Sequence, residues 1–126
     1  MTPDATSVTL HEAARLALKE HRYADAARTL ERAVAHDPND AWAHDKLGIA
    51  YQRLGREDDA LNQFELAVSL APDNPVYRYN LGAMLVSAGQ SEEGCDHLQR
   101  CLELDPNHLT AKDLLNRLCS DSHPTG

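Results

Sequence analysis

The sequence predicts an all-α chain made of three helical hairpins and one closing helix. Three observations carry this. Pro38, Pro72 and Pro106 recur at a spacing of 34 residues, in the matching contexts Asp37-Pro38-Asn39, Ala71-Pro72-Asp73 and Asp105-Pro106-Asn107. Apolar residues recur at intervals of three and four through seven successive segments. No alternating run of β-branched residues with a hairpin turn occurs anywhere.

The segments follow in order. Residues 8–20 form the weakest helix, relying on Ala13, Ala14 and Ala17; residues 24–36 follow with Ala26, Leu30 and Ala33 on one face. Asp40 stands directly before the helix predicted over 41–54, as an N-cap does, and that helix carries Leu47, Gly48 and Tyr51. Gly55 ends it, where a left-handed residue is cheap. Residues 58–70 place Ala60, Leu61, Phe64, Ala67 and Val68 at helical spacing behind the acidic run Glu57-Asp58-Asp59, which suits a helix start. Asn74 caps the helix over 75–88, with Leu81, Gly82 and Leu85, and Gly89 ends it. Residues 92–104 repeat the pattern with Glu92 and Glu93 first, then Gly94, Leu98 and Cys101. The last helix, 109–119, has a polar side (Lys112, Asp113, Asn116, Arg117) and an apolar one (Leu115, Leu118, Cys119).

Column by column, the middle repeat reads Leu47, Gly48, Tyr51, Ala60, Phe64, Ala67 and Pro72, and the third reads Leu81, Gly82, Leu85, Gly94, Leu98, Cys101 and Pro106. This pattern resembles the tetratricopeptide repeat (TPR) family. It departs where a Trp is usual: His44 stands there, with Trp42 two residues earlier. The resemblance implies an α-solenoid with a right-handed superhelix. Its expected layout is a disordered tail at 1–6, a single domain at 7–120 and a disordered tail at 121–126. Within the domain the repeats are 7–40, 41–74 and 75–108, and 109–120 is a capping helix. Gly48 and Gly82 are expected to face Ala60 and Gly94, letting paired helices approach closely. Tyr51, Phe64, Leu85 and Leu98 are expected to fill the wedge to the next repeat.

Composition narrows the function. With 12 Lys+Arg against 20 Asp+Glu the chain carries −8, which argues against nucleic acid and anionic lipid as partners. No apolar stretch approaches the ~18 residues of a membrane span, and the N-terminus lacks the basic and apolar regions of a signal peptide. Cys95, Cys101 and Cys119 are an odd number without a paired framework, so reduced thiols and a cytoplasmic location are expected.

Catalysis finds little support. His97 and Cys101 are i, i+4, a spacing zinc can use, but Cys101 occupies the small core column shared with Ala33 and Ala67. The seven histidines scatter, and no phosphate loop or nucleophile motif is present. The acidic pairs read as helix starts. No enzyme, cofactor or metal is expected.

Binding finds more support. The resemblance implies a concave groove lined by the first helix of each repeat. The matching positions are Val8, His11, Glu12, Arg15 and Lys19; Trp42, Asp45, Lys46, Ile49 and Arg53; and Val76, Tyr79, Asn80, Ala83 and Ser87. Four cations against two anions give this face +2 on a −8 protein, which favours acidic peptides. Trp42, the single Trp, and Tyr79 are the aromatic candidates. The binding residues expected are His11, Arg15, Trp42, Lys46, Arg53, Tyr79 and Asn80. The positions of the family's two-carboxylate clamp read His11, Arg15, Lys46, Val76 and Asn80, none identical to the usual set, so chaperone-tail binding is not assigned. The expected role is an adaptor or scaffold holding a protein or peptide segment, leaning acidic. The alternative is a self-assembling structural subunit. A monomer is expected, with association through the array ends as its counterpart.

Overall fold

Residues 5–119 are described by the computed structural model, and every regular element among them is helical. The helices are α1 (Ala5–Lys19), α2 (Tyr23–His36), α3 (Ala41–Arg53), α4 (Glu57–Leu70), α5 (Pro75–Ser87), α6 (Ser91–Leu104) and α7 (Leu109–Leu118). α1 begins at Ala5, inside the segment expected to be a tail; the other boundaries fall within one residue of expectation. The remaining tail residues and the last residue of the expected capping helix lie outside the described residues. The chain divides into two compact units, Met1–Leu70 and Ala71–Gly126.

The starts and stops follow from local hydrogen bonding. The first N–H groups of a helix have no intrahelical acceptor. Asp40 accepts from the Ala43 N–H at 3.0 Å, and Asn74 accepts from the Val76 and Tyr77 N–H groups at 2.9 and 3.2 Å. His108, in the same column of the next repeat, does the same work through Nδ1, accepting from the Ala111 N–H at 3.1 Å.

The turns inside the hairpins are copies of one motif. Arg22, Arg56 and Gln90 donate back to the carbonyls of Ala17, Tyr51 and Leu85, each at 2.8 Å. His21, Gly55 and Gly89 donate to Leu18, Gln52 and Val86, each at 3.1 Å. This is the Schellman pattern, which requires a left-handed residue after the helix. Gly55 and Gly89 supply it with φ of 79° and 87°. His21 takes φ of 60° in the same column, against the ordinary preference of a residue with a Cβ.

In the first unit, α2 packs on α1 and α3, and α3 on α4. Ala26, Leu30, Ala33, Leu47, Ala60, Phe64 and Ala67 are buried as the columns predicted. Full burial of Phe64 alone stabilises by about 1.5–3 kcal/mol. The atoms nearest the missing side chain of Gly48 belong to the Phe64 ring, not to Ala60: a Cβ there would stand 2.7 Å from ring carbons. Phe64 therefore fills the space within its own hairpin. Tyr51 reaches back to the preceding hairpin, where its hydroxyl donates to Glu31 at 2.5 Å. Burial and then the Glu31 carboxylate push its pKa up to about 12. His44, in the place of the usual Trp, is buried; its Nε2 donates to the Pro38 carbonyl at 2.8 Å, and its Nδ1 lies 2.7 Å from the Gln63 side chain.

In the second unit, α6 packs between α5 and α7. Gly82 and Gly94 meet as expected. A Cβ on Gly94 would lie 2.7 Å from the Gly82 carbonyl oxygen, and one on Gly82 would lie 2.9 Å from that of Gly94. α7 covers Leu98 and Cys101 with Ala111 and Cys119, and with the half-buried Leu114 and Leu115. Leu118, expected on the apolar side, is exposed. The expectation of three reduced thiols is overturned: Cys95 and Cys119 form a disulfide, and Cys101 alone remains a free, buried thiol. Sequence spacing hides the pair, because 24 residues separate the two cysteines and only the return of α7 onto α6 joins them. The inference of a reducing compartment loses its premise.

The glycine contact gives a test with a reversed sign. Within a helix, Gly→Ala ordinarily stabilises by up to about 1 kcal/mol. Gly94→Ala should instead destabilise by about 1–3 kcal/mol, because the methyl group meets backbone that cannot yield. Urea denaturation of Gly94→Ala beside the exposed Gln99→Ala checks this; a midpoint for Gly94→Ala at or above wild type would disprove the close approach.

Candidate functional site

The first unit presents a cavity of about 550 Å³, lined by Arg15 and Leu18 of α1, His21 of the following turn, Tyr23 at the start of α2, and Trp42, Lys46, Ile49 and Arg53 of α3. Spacings of four, three and four along α3 put its contributors on one helical face. The wall is aromatic at two places and cationic at three. Among the described residues, no Asp or Glu lines it.

The cations are set by their neighbours. The Arg15 guanidinium lies over the Trp42 ring at 5.0 Å from its centroid, and that of Arg53 lies over Tyr23 at 5.8 Å. Each such contact contributes about 0.5–1 kcal/mol at an exposed site and limits where the cation can point. Lys46 Nζ sits 3.4 Å from Asp45, whose side chain is wholly buried. Tyr23 and His21 are joined through the phenol oxygen and Nδ1 at 2.7 Å.

Trp42 is half-buried between α1 and solvent. The His11 ring packs on it, centroids 4.4 Å apart. His11 Nε2 also donates to Asp40 Oδ2 at 2.5 Å, while Asp40 Oδ1 caps α3. One carboxylate thus starts α3 and anchors the imidazole beside Trp42.

Of the seven binding residues expected from sequence, Arg15, Trp42, Lys46 and Arg53 line this cavity, and His11 contacts Trp42 from outside the lining. Tyr79 and Asn80 belong to α5 in the second unit, where Tyr79 stacks on His108 at 4.9 Å. Asp45 was expected on the groove face and is fully buried instead. Leu18, His21 and Tyr23 were missed. The sequence did carry a hint, since His21 stands in the column of Gly55 and Gly89, and Tyr23 in that of Glu57 and Ser91.

His97 serves structure. Arg78 Nη1 donates to its Nδ1 at 3.0 Å, and Arg78 Nε donates to the Pro72 carbonyl at 2.8 Å, tying α6 to the start of α5. Burial first, and then the Arg78 charge, lower the His97 pKa. Among the described residues no three His, Cys, Asp or Glu side chains are placed to hold a metal ion, and no helix is long and apolar enough to cross a membrane.

Two family models described as tetratricopeptide repeat match the chain, one over residues 17–85 and the other over 76–108. The TPR repeat-containing thioredoxin TTL4 of Arabidopsis thaliana is 32% identical over 85 residues, covering 68% of this chain and 12% of that protein. Hsp70-Hsp90 organizing protein 2 of the same plant is 27% identical over 99 residues, 79% of this chain and 17% of its own length. The chain therefore spans less than a fifth of either relative. Among solved structures, the first TPR domain of Spaghetti (RPAP3), bound to the HSP90 peptide SRMEEVD, superposes with a TM-score of 0.88 at 23% identity over 95% of both chains.

Two measurements check the site and its surroundings. Because Trp42 is the single Trp, its emission reports the cavity wall. His11→Ala should shift that emission to longer wavelength, as water replaces the imidazole; an unchanged spectrum would contradict the packing. The lowered His97 pKa means that the unfolded chain takes up a proton more readily than the folded one. Stability should therefore be present above the ordinary value of 6.5 and be lost as pH falls through the lowered folded value. Urea midpoints between about pH 5 and 7 should show this slope for wild type and a shallower one for His97→Gln; equal slopes would remove His97 as its source.

Proposed function

The chain belongs to the tetratricopeptide repeat family, and we propose that it is a protein-interaction module whose first unit holds an acidic peptide segment in the cavity between α1 and α3. The observation that carries this is the lining: Arg15, Lys46 and Arg53 beside Trp42 and Tyr23, with the one carboxylate near Lys46, that of Asp45, buried behind the wall. Carboxylates of the segment meet the three cations, and its apolar side chains pack on the two rings. The peptide bound to the Spaghetti (RPAP3) domain, SRMEEVD, has three acidic residues against one basic, which supports an acidic segment as the guest on a similar fold.

The contributions are unequal. Exposed ion pairs stabilise by about 0.2–1 kcal/mol each, and Lys46 already has the buried Asp45 beside it. A desolvated aromatic anchor contributes 2 kcal/mol or more. Affinity should be on the order of micromolar, about −8 kcal/mol, and should weaken with salt.

Isothermal titration with SRMEEVD and with a charge-reversed counterpart tests the reading. Trp42→Ala should weaken binding about tenfold or more, Arg15→Ala and Arg53→Ala severalfold, and Lys46→Ala least. Equal affinity for the reversed peptide, or full binding by Trp42→Ala with its helicity intact, would place the functional surface elsewhere.

A further inference from the structure

The second unit carries a covalent tie that peptide binding does not use. Cys95 lies in α6 and Cys119 directly follows α7, so their disulfide fastens the far end of the last helix. We propose that this disulfide is a redox latch: oxidised, it holds α7 on α6; reduced, it lets α7 leave and uncovers the apolar seat beneath.

The packing of α7 supports a latch. The helix has ten residues, and Ala111 is its one buried position. An isolated helix of this length does not persist in water. Its outer leucines add little, since Leu109 is 76% and Leu118 44% exposed, while Leu114 and Leu115 are only half-buried. The near end is held by the His108 cap and by the stack of His108 on Tyr79. The far end is held by Cys119, which is 2% exposed and bonded to Cys95. The seat itself, Leu98 and Cys101, is wholly buried with Ala111 and Cys119 packed on it.

The chemistry is thiol–disulfide exchange with a dithiol reductant. Its thiolate attacks the sulfur of Cys95, the more accessible partner, forming a mixed disulfide. Cys119 leaves as thiolate and takes up a proton. The second thiol of the reductant then displaces Cys95 and closes the reductant's own disulfide. Two electrons pass to the protein, which gains two thiols. Cys101 takes no part, being buried in the seat.

Hydrogen exchange read by mass spectrometry on the full chain tests this, oxidised and in excess dithiothreitol, with the thiol count verified by alkylation. On reduction the amides of 111–119 should exchange at least about tenfold faster, while those of α5 and α6 keep their protection. Cys119→Ser should exchange at the fast rate with or without reductant, and Cys101→Ser should respond as wild type does. Unchanged protection of α7 after full reduction would show that packing alone holds it. Loss of protection throughout α5 and α6 would make the bond a staple of the whole unit. Three alkylatable thiols after air oxidation would remove the latch outright.

Discussion

The three-residue reversal between paired helices is the constraint on which the hairpins depend. It forces one residue into the left-handed region and satisfies the last carbonyls of the helix with two return hydrogen bonds. With the reversal held to one geometry, the following helix comes back at a set height. That height brings Gly94 onto Gly82 in the second unit and lays Phe64 against Gly48 in the first. A slip of one residue would swing each small residue away from its counterpart by about 100° around the helix, and bulky side chains would keep the axes apart.

Period, caps and turns were legible in the sequence because each is a local rule applied to neighbouring residues. Asp40 and Asn74 cap as their positions implied, and Gly55 and Gly89 take the backbone that only glycine adopts freely. His108 and His21 show where that reading stops. Both fill columns that favour another residue type, and the geometry prevails over the side chain. The disulfide was illegible for a different reason: its partners are distant in sequence, and no spacing rule connects them.

The cavity was legible in part. Arg15, Trp42, Lys46 and Arg53 follow from helical periodicity, which says that they share faces. Periodicity does not give depth. Asp45 adjoins Lys46 on the same helix and is nonetheless wholly buried, so counting charges along a face misstated what lines the cavity. Tyr23 escaped because it opens α2, whereas the face counted from sequence took only the first helix of each repeat. The wall that results is more cationic than the counted face, since among the described residues no Asp or Glu lines it.

Asp40 serves two tasks with two oxygens. One caps α3 through the Ala43 N–H, and the other grips the His11 ring that leans on Trp42. The beginning of a helix and the wall of a cavity therefore share a single anchor. Whatever presses on Trp42 is felt at the first turn of α3, and whatever frays that turn loosens the wall. In the language of linked equilibria, occupancy and helix initiation are conjugate: a guest that prefers the wall firm must also firm the helix by the same free energy.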